Sequence, residues 1–317
     1  MTALEALLLG ILQGATEFLP VSSSGHLVLG EHLLALKPTL AFNAALHAGT
    51  LVAVVGYYRR DLWDMLRETV RSLIGLIGGR SPGAIWAEDH GTRLALLILL
   101  ATVPTGLIGL GLKGPVERSM ENGLYTSLAL LVTGALLICT RWAREAGPGG
   151  AGAQGAQGAQ GAQGAQGTQG TLGPAEAPGG AGDGPDAARP GPTRVTAQIA
   201  LAVGVAQGIA VVPGISRSGA TLAVILLLGV RRPDAARFCF LLSVPAILGA
   251  LVLEGKALGR MGSEDLGPLA LGVGAAVVVG YLSLAMLVAL VRRGRLHLFA
   301  AYVLPLALLG IVYFSSR

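Results

Sequence analysis

Charge is what this sequence has least of. Only 13% of its 317 residues are Asp, Glu, Lys or Arg, against 52% hydrophobic, whereas a soluble domain carries roughly 25% charged residues. That shortfall excludes an ordinary soluble domain and points to an integral membrane protein. Cysteine is nearly absent. Cys139 and Cys239 both fall in apolar runs and read as small core residues, which excludes a disulfide framework or a cysteine metal site. The N-terminus lacks a basic stretch, and Glu5 stands where a secretory signal would carry positive charge, so no signal peptide is expected. The sequence also has no P-loop, zinc signature or Gly-x-Ser-x-Gly elbow, the motifs that would announce familiar phosphate, metal or acyl chemistry. A net charge of +5 does not call for nucleic acid, because the Lys and Arg residues sit in short loops between apolar runs, where topology signals lie.

The apolar runs themselves are informative by their lengths. Residues 6–16 and 18–30 are apolar, separated by Glu17 and broken by Pro20 and Gly25. Each is too short to cross about 30 Å of hydrocarbon, which takes roughly 20 helical residues. Two half-length helices with a polar join predict a re-entrant hairpin over residues 5–36, since irregular backbone at membrane depth must be buried in protein or line a wet cavity. Spans are expected at 41–58, with His47 inside it, and at 94–112 and 123–140. The arginine-bearing stretch between them, residues 59–93, reads as a loop with an amphipathic helix, and Lys113–Asn122 as a mixed-charge loop. Residues 145–193 change character to Gly-Ala-Gln repeats and a Pro/Gly/Ala tract, expected to be a flexible linker. A second broken hairpin follows at 195–230, then a basic turn at 231–237, spans at 238–253, 266–291 and 298–314, and a mixed-charge loop at 254–265.

The halves 1–144 and 194–317 align at a shift of 194 residues. Gly10, Gln13, Gly14, Ser22, Ser24 and Gly25 meet Gly204, Gln207, Gly208, Ser216, Ser218 and Gly219. An odd number of spans lies between the hairpins, so the second copy is expected to be inverted. The expected fold is thus an all-α integral membrane protein of two inverted repeats, each a re-entrant broken-helix hairpin plus three transmembrane helices, an architecture typical of transporters. Threading the chain through six spans collects the basic loops on one side, which the positive-inside rule makes cytoplasmic. Both termini are then extracytoplasmic and the linker cytoplasmic.

The two copies differ where chemistry is expected. Glu17, Ser23 and His26 face Val211, Arg217 and Ala220. Ionisable residues inside a membrane mark working sites by default. Arg217 lies in Pro213-Gly214-Ile215-Ser216-Arg217-Ser218-Gly219-Ala220-Thr221, which reads as an anion cradle. The guanidinium matches phosphate oxygens bidentately, and Ser216, Ser218 and Thr221 add hydroxyls at a helix N-terminus. A structural Arg217–Glu17 pair is the plainer alternative. Glu17 suits a base or a divalent-metal ligand, with Gln13 one turn earlier on the same face. Ser23 or a water is the candidate nucleophile and His26 the candidate acid. Of Ser22, Ser23 and Ser24, Ser24 is expected to cap the second half-helix because it immediately precedes Gly25.

These residues carry a resemblance. Gln13 to His26, running into Pro-Val-Ser-Ser-x-Gly-His, and Pro213 to Thr221 resemble the two motifs of the bacterial undecaprenyl-diphosphatase family, also known as bacitracin-resistance proteins. The resemblance covers both halves and leaves out the linker. It implies hydrolysis of undecaprenyl pyrophosphate to undecaprenyl phosphate, recycling the lipid carrier of peptidoglycan synthesis and conferring bacitracin resistance. Transport of a polyprenyl phosphate is the alternative. The resemblance further implies a multi-pass protein of the bacterial plasma membrane, a site facing the extracytoplasmic side, and a divalent cation, Mg2+ or Ca2+, held by Glu17 and Gln13. Catalysis would fall to Glu17, Ser23, His26 and Arg217, and phosphate binding to Ser22, Ser216, Arg217, Ser218 and Thr221. Gln13 stands where many members have Glu. The expected partners are the lipid substrate and the bilayer, with a homodimer left open.

Overall fold

The computed structural model describes residues 2–27, 40–120, 122–143, 195–258 and 266–316. The far arm of the first expected hairpin (28–36), the expected linker at 145–193 and the 259–265 part of the expected loop lie outside the described residues. Everything regular among the described residues is helical. In chain order the helices are α1 (Ala3–Phe18), α2 (Leu40–Tyr57), α3 (Arg59–Ile77), α4 (Pro82–Glu88), α5 (His90–Met120) and α6 (Gly123–Cys139). They continue as α7 (Ala197–Ile209), α8 (Arg217–Leu227), α9 (Arg232–Leu258), α10 (Leu266–Arg292) and α11 (Ala300–Ser315).

Five segments among the described residues are long and apolar enough to cross a membrane: His90–Leu112, Gly123–Trp142, Arg232–Leu253, Leu266–Arg292 and Leu296–Ser315. Ala41–Tyr57, Ala197–Ile209 and Arg217–Leu227 are apolar but shorter. The chain is therefore an all-α, multi-pass integral membrane protein.

Helix ends depart from the apolar boundaries for local reasons. The expected loop at Lys113–Asn122 is helical as far as Met120, because Lys, Glu, Arg and Met are good helix formers and the end of an apolar run is no stop signal. The expected basic turn at 231–237 is mostly the first turns of α9. Pro233 costs nothing where no intrahelical N–H bond exists, and Asp234 sits favourably at the positive end of the helix and pairs with Arg231 at 2.9 Å. α1 begins at a capping box, with Thr2 and Glu5 each accepting from the other's backbone N–H, which satisfies two end donors.

The short helices are held by glycine. α1 packs on α10, and α7 packs on α5. At Gly10 a Cβ would lie 2.1 Å from the Gly272 carbonyl oxygen, and at the aligned Gly204 one would lie 2.2 Å from that of Ala101. Small residues let backbones approach where no hydrophobic force drives helices together in lipid. Gly10→Ala and Gly204→Ala should each cost about 1–3 kcal/mol through overpacking. Gly106→Ala on α5, where a Cβ meets nothing within 4 Å, should be neutral or mildly stabilising. Thermal unfolding of the three purified variants in detergent checks this. The main core gathers around α9, through Phe238, Phe240, Leu241 and Leu242, and reaches Phe18 at the end of α1 and Val21 in the turn beyond it.

Candidate active site

α1 stops at Phe18 because Pro20 follows. The residue before a proline is pushed out of the helical region, and Leu19 is extended at φ −60°, ψ 142°. The chain turns through residues 19–21 and is helical again at 23–27. Ser22 between them has φ +69°, the one positive φ at a non-glycine among the described residues. Such a conformation costs on the order of 1–3 kcal/mol and persists where the surroundings enforce it. The Ser22 hydroxyl accepts from Gly25 N–H at 3.2 Å. Ser22 is thus the cap, not Ser24, since a cap oxygen reaches the N–H three residues on.

The second turn repeats this arrangement. Ser216 Oγ accepts from Gly219 N–H at 3.1 Å, and both the Ser22–Ser24 and the Ser216–Ser218 hydroxyl pairs are 3.2 Å apart. Gly214 takes φ +95°, and a Cβ there would lie 2.2 Å from the Thr126 carbonyl oxygen, so only glycine fits. Thr133 on α6 ties the turn down, donating to Gly214 O at 2.8 Å and accepting from Ser216 N–H at 2.9 Å. The two turns touch. A Cβ on Gly25 would lie 3.5 Å from Gly214 Cα, and one on Gly219 3.4 Å from Pro20 Cβ. Ser218 Oγ donates to Leu19 O at 3.2 Å.

At this junction the buried Glu17 carboxylate collects donors from both turns. Its Oε2 accepts from Gln13 Nε2 at 2.7 Å and from Ser23 Oγ at 2.8 Å. Its Oε1 accepts from Arg217 Nη2. The Glu17 side chain is 1% exposed and that of Arg217 25%, so the guanidinium reaches from the carboxylate towards an open side. A small cleft there is lined by Arg217, Ser218, Thr221, Cys239, Phe240 and Ser243. Thr221 Oγ1, one turn into α8, donates to Arg217 O at 2.9 Å.

Gln13, Glu17, Ser23 and Arg217 thus meet, Ser218 and Thr221 border the cleft, and Ser22 and Ser216 act as caps. His26 is engaged elsewhere. Its Nδ1 lies 2.8 Å from Ser22 O and its Nε2 2.8 Å from the Tyr302 hydroxyl. A proton on Nδ1 serves the carbonyl, which leaves Nε2 to accept from Tyr302. The rings stack at 5.7 Å, tethering the strained turn to α11.

Two residues that hold these side chains, one at the site and one at the turn beside it, carried no role in the sequence reading. His47 on α2 accepts from Gln13 Nε2 at 2.9 Å and lies 3.5 Å from Glu17 Oε2. An ionisable group inside an apolar span was its one signal. Tyr302 had none.

Among the described residues no group of three or more His, Cys, Asp or Glu could hold a metal ion. Yet Gln13 Oε1 is buried without a hydrogen-bond partner, on the amide whose Nε2 donates to Glu17. An unpartnered amide oxygen and a carboxylate one turn apart are the ligand types that a Mg2+- or Ca2+-type cation takes, together with water and phosphate oxygens.

The model of the bacitracin resistance protein BacA family matches residues 6–309. A protein named undecaprenyl-diphosphatase from Desulfosudis oleivorans is 40% identical over 304 residues, covering 95% of each chain. Proteins of the same name from Rubrobacter xylanophilus and Korarchaeum cryptofilum are 39% and 35% identical, covering 96% of both chains in the first case, and 98% of this chain and all of the relative in the second. With near-complete coverage by the family model and by relatives at this identity, the chain belongs to the bacitracin resistance protein BacA family.

Proposed function

We infer that this protein hydrolyses undecaprenyl pyrophosphate to undecaprenyl phosphate and phosphate in the membrane. The observation that carries the reading is the meeting of Glu17, Ser23 and Arg217 where the two broken turns touch. The relatives' shared name supports the substrate. The prenyl chain lies among the apolar helices and the pyrophosphate enters the cleft beside Arg217. The guanidinium takes phosphate oxygens with its remaining N–H groups, while Ser218, Thr221 and the α8 N-terminus add donors. Ser23 Oγ, already donating to Glu17, attacks the terminal phosphorus as its proton passes to the carboxylate. The bridging P–O bond breaks and undecaprenyl phosphate leaves. Glu17 gives that proton to the departing lipid phosphate, and water then cleaves the phosphoserine, with Glu17 taking the water's proton and returning it to Ser23 Oγ as phosphate leaves. A divalent cation held by Glu17 and Gln13 Oε1 would supply neutralisation of pyrophosphate charge. His26 holds the turn that presents Ser23.

The matched glycine approaches and matched Ser–Gly caps support the inverted repeat of 1–144 and 194–317 joined by the linker at 145–193. With the basic segments cytoplasmic by the positive-inside rule, the linker would be cytoplasmic and the termini extracytoplasmic, and the reading has the site open to the extracytoplasmic side. Acid and serine on one turn and guanidinium on the other favour hydrolysis over transport of the same lipid, because transport would not need the asymmetry.

Purified protein in detergent should release phosphate from undecaprenyl or farnesyl pyrophosphate. EDTA should stop release and added Mg2+ or Ca2+ restore it. Folded protein that releases none overturns the reading, and release that survives EDTA removes the cation from it.

A further inference from the structure

α3 is an amphipathic helix turned inside out. Its buried positions are Met65 and Ser72, and they face α5. Ser72 Oγ lies 2.8 Å from Thr92 Oγ1, and Glu68 accepts from Gly91 N–H. Its bulky apolar residues point away from this contact. Trp63, Leu66, Val70, Leu73, Ile74 and Ile77 are all exposed, from 47% at Val70 to 89% at Ile77. At about 100° per residue they occupy one stripe about 100° wide. Arg60, Arg67 and Arg71 follow directly along one edge of that stripe, by the same arithmetic within about 40° of one another. The acidic residues Asp61, Asp64 and Glu68 come beyond them, towards the buried face. Asp61 pairs with Arg237 of α9.

The position of α3 says what covers the stripe. It starts two residues after the end of α2. The Asp61–Arg237 pair ties its first turn to the beginning of α9, and Glu68 and Ser72 tie its middle to the first turn of α5. The segments His90–Leu112 and Arg232–Leu253 that begin there are membrane spans by length and composition. α3 therefore runs at the level where these spans leave the hydrocarbon. A helix there, with tryptophan and aliphatic side chains on one face and arginines along its edge, matches what lies in a bilayer interface and attracts anionic lipid. Trp86 on α4, 43% exposed, stands on the same connection with the Arg93 guanidinium 5.9 Å from its ring centroid.

We propose that α3 lies in the headgroup layer with its Trp63–Ile77 stripe among the acyl chains, and that Arg60, Arg67 and Arg71 gather anionic phospholipid around it. Nothing in this depends on the reaction catalysed.

The test uses the full chain with Trp86→Phe and Trp142→Phe, leaving Trp63 as the fluorophore, in nanodiscs of phosphatidylcholine containing a minority of phosphatidylglycerol. Lipids brominated on the acyl chain should quench Trp63. At equal mole fraction, brominated phosphatidylglycerol should quench roughly threefold or more as strongly as brominated phosphatidylcholine, reflecting its enrichment beside the arginines. Arg67→Gln/Arg71→Gln should shrink that ratio towards one while quenching by brominated phosphatidylcholine persists. Water-like, unquenched Trp63 emission would overturn the proposal. Blue-shifted but unquenched emission would too, by showing the stripe covered by protein such as a second copy. Equal quenching by the two lipids would overturn its anionic part.

Discussion

Glu17→Gln should lower phosphate release by about 10²–10⁴-fold, the range expected for losing a general base, and it should also loosen the fold. The substitution keeps the shape of the side chain but removes the base that Ser23 Oγ donates to and the counter-charge for Arg217, leaving one neutral amide oxygen as acceptor. Activity falls because no group is left to take the serine proton. Stability falls because a part-buried guanidinium loses its partner, and breaking a buried pair costs far more than the pair contributes when intact. The two effects separate in a cycle. Glu17→Gln/Arg217→Gln removes the orphaned charge and should recover part of the lost thermal stability, yet stay inactive. Phosphate release and thermal unfolding in detergent, measured on wild type, both single variants and the double, give the answer. A Glu17→Gln protein with normal turnover would remove the carboxylate from the chemistry altogether.

Local chemistry was legible in the sequence wherever the contact is short-range or repeated. Gln13 and Glu17 are one helical turn apart, so their sharing a face followed from spacing, and their bond is 2.7 Å. Pro20 announced the end of α1 through Leu19. Arg217 and Ser23 align when the sequence is shifted by 194 residues, and both reach Glu17. The cap was misread by giving adjacency to Gly25 more weight than hydrogen-bond reach. The repeat held the correct answer, because Ser216 precedes Gly219 by three residues just as Ser22 precedes Gly25. His47 and Tyr302 were not legible. Each is a lone polar residue in an apolar run, and its partner lies 34 or 276 residues away. Tertiary packing alone selects such pairs. The extensions of α5 and α9 were hidden for another reason: hydropathy marks where lipid contact ends, whereas helix ends depend on capping and propensity.

Arg217→Ala should abolish measurable turnover, with a loss on the order of 10³-fold or more, since positioned charge on the transferring phosphoryl group is the main source of rate in such chemistry. It also leaves the Glu17 carboxylate, 1% exposed, without its cation, at a cost of about 3 kcal/mol or more. Loss of activity in this variant therefore mixes chemistry with folding, and Arg217→Lys separates them. Lysine keeps the charge beside Glu17, so the fold should hold within about 1 kcal/mol, because the ion pair survives without its fork. What lysine lacks is the planar set of N–H groups that can hold Glu17 and two phosphate oxygens at once. If the guanidinium binds the phosphoryl group more tightly as charge spreads in the transition state, Arg217→Lys should lower kcat by roughly 10²-fold with a smaller change in KM. If Arg217 only anchors Glu17, the lysine variant should turn over nearly as fast as wild type at unchanged thermal stability. The ratio of those two kinetic effects, read on folded protein, decides whether the cation that completes the Glu17 cluster also handles the substrate.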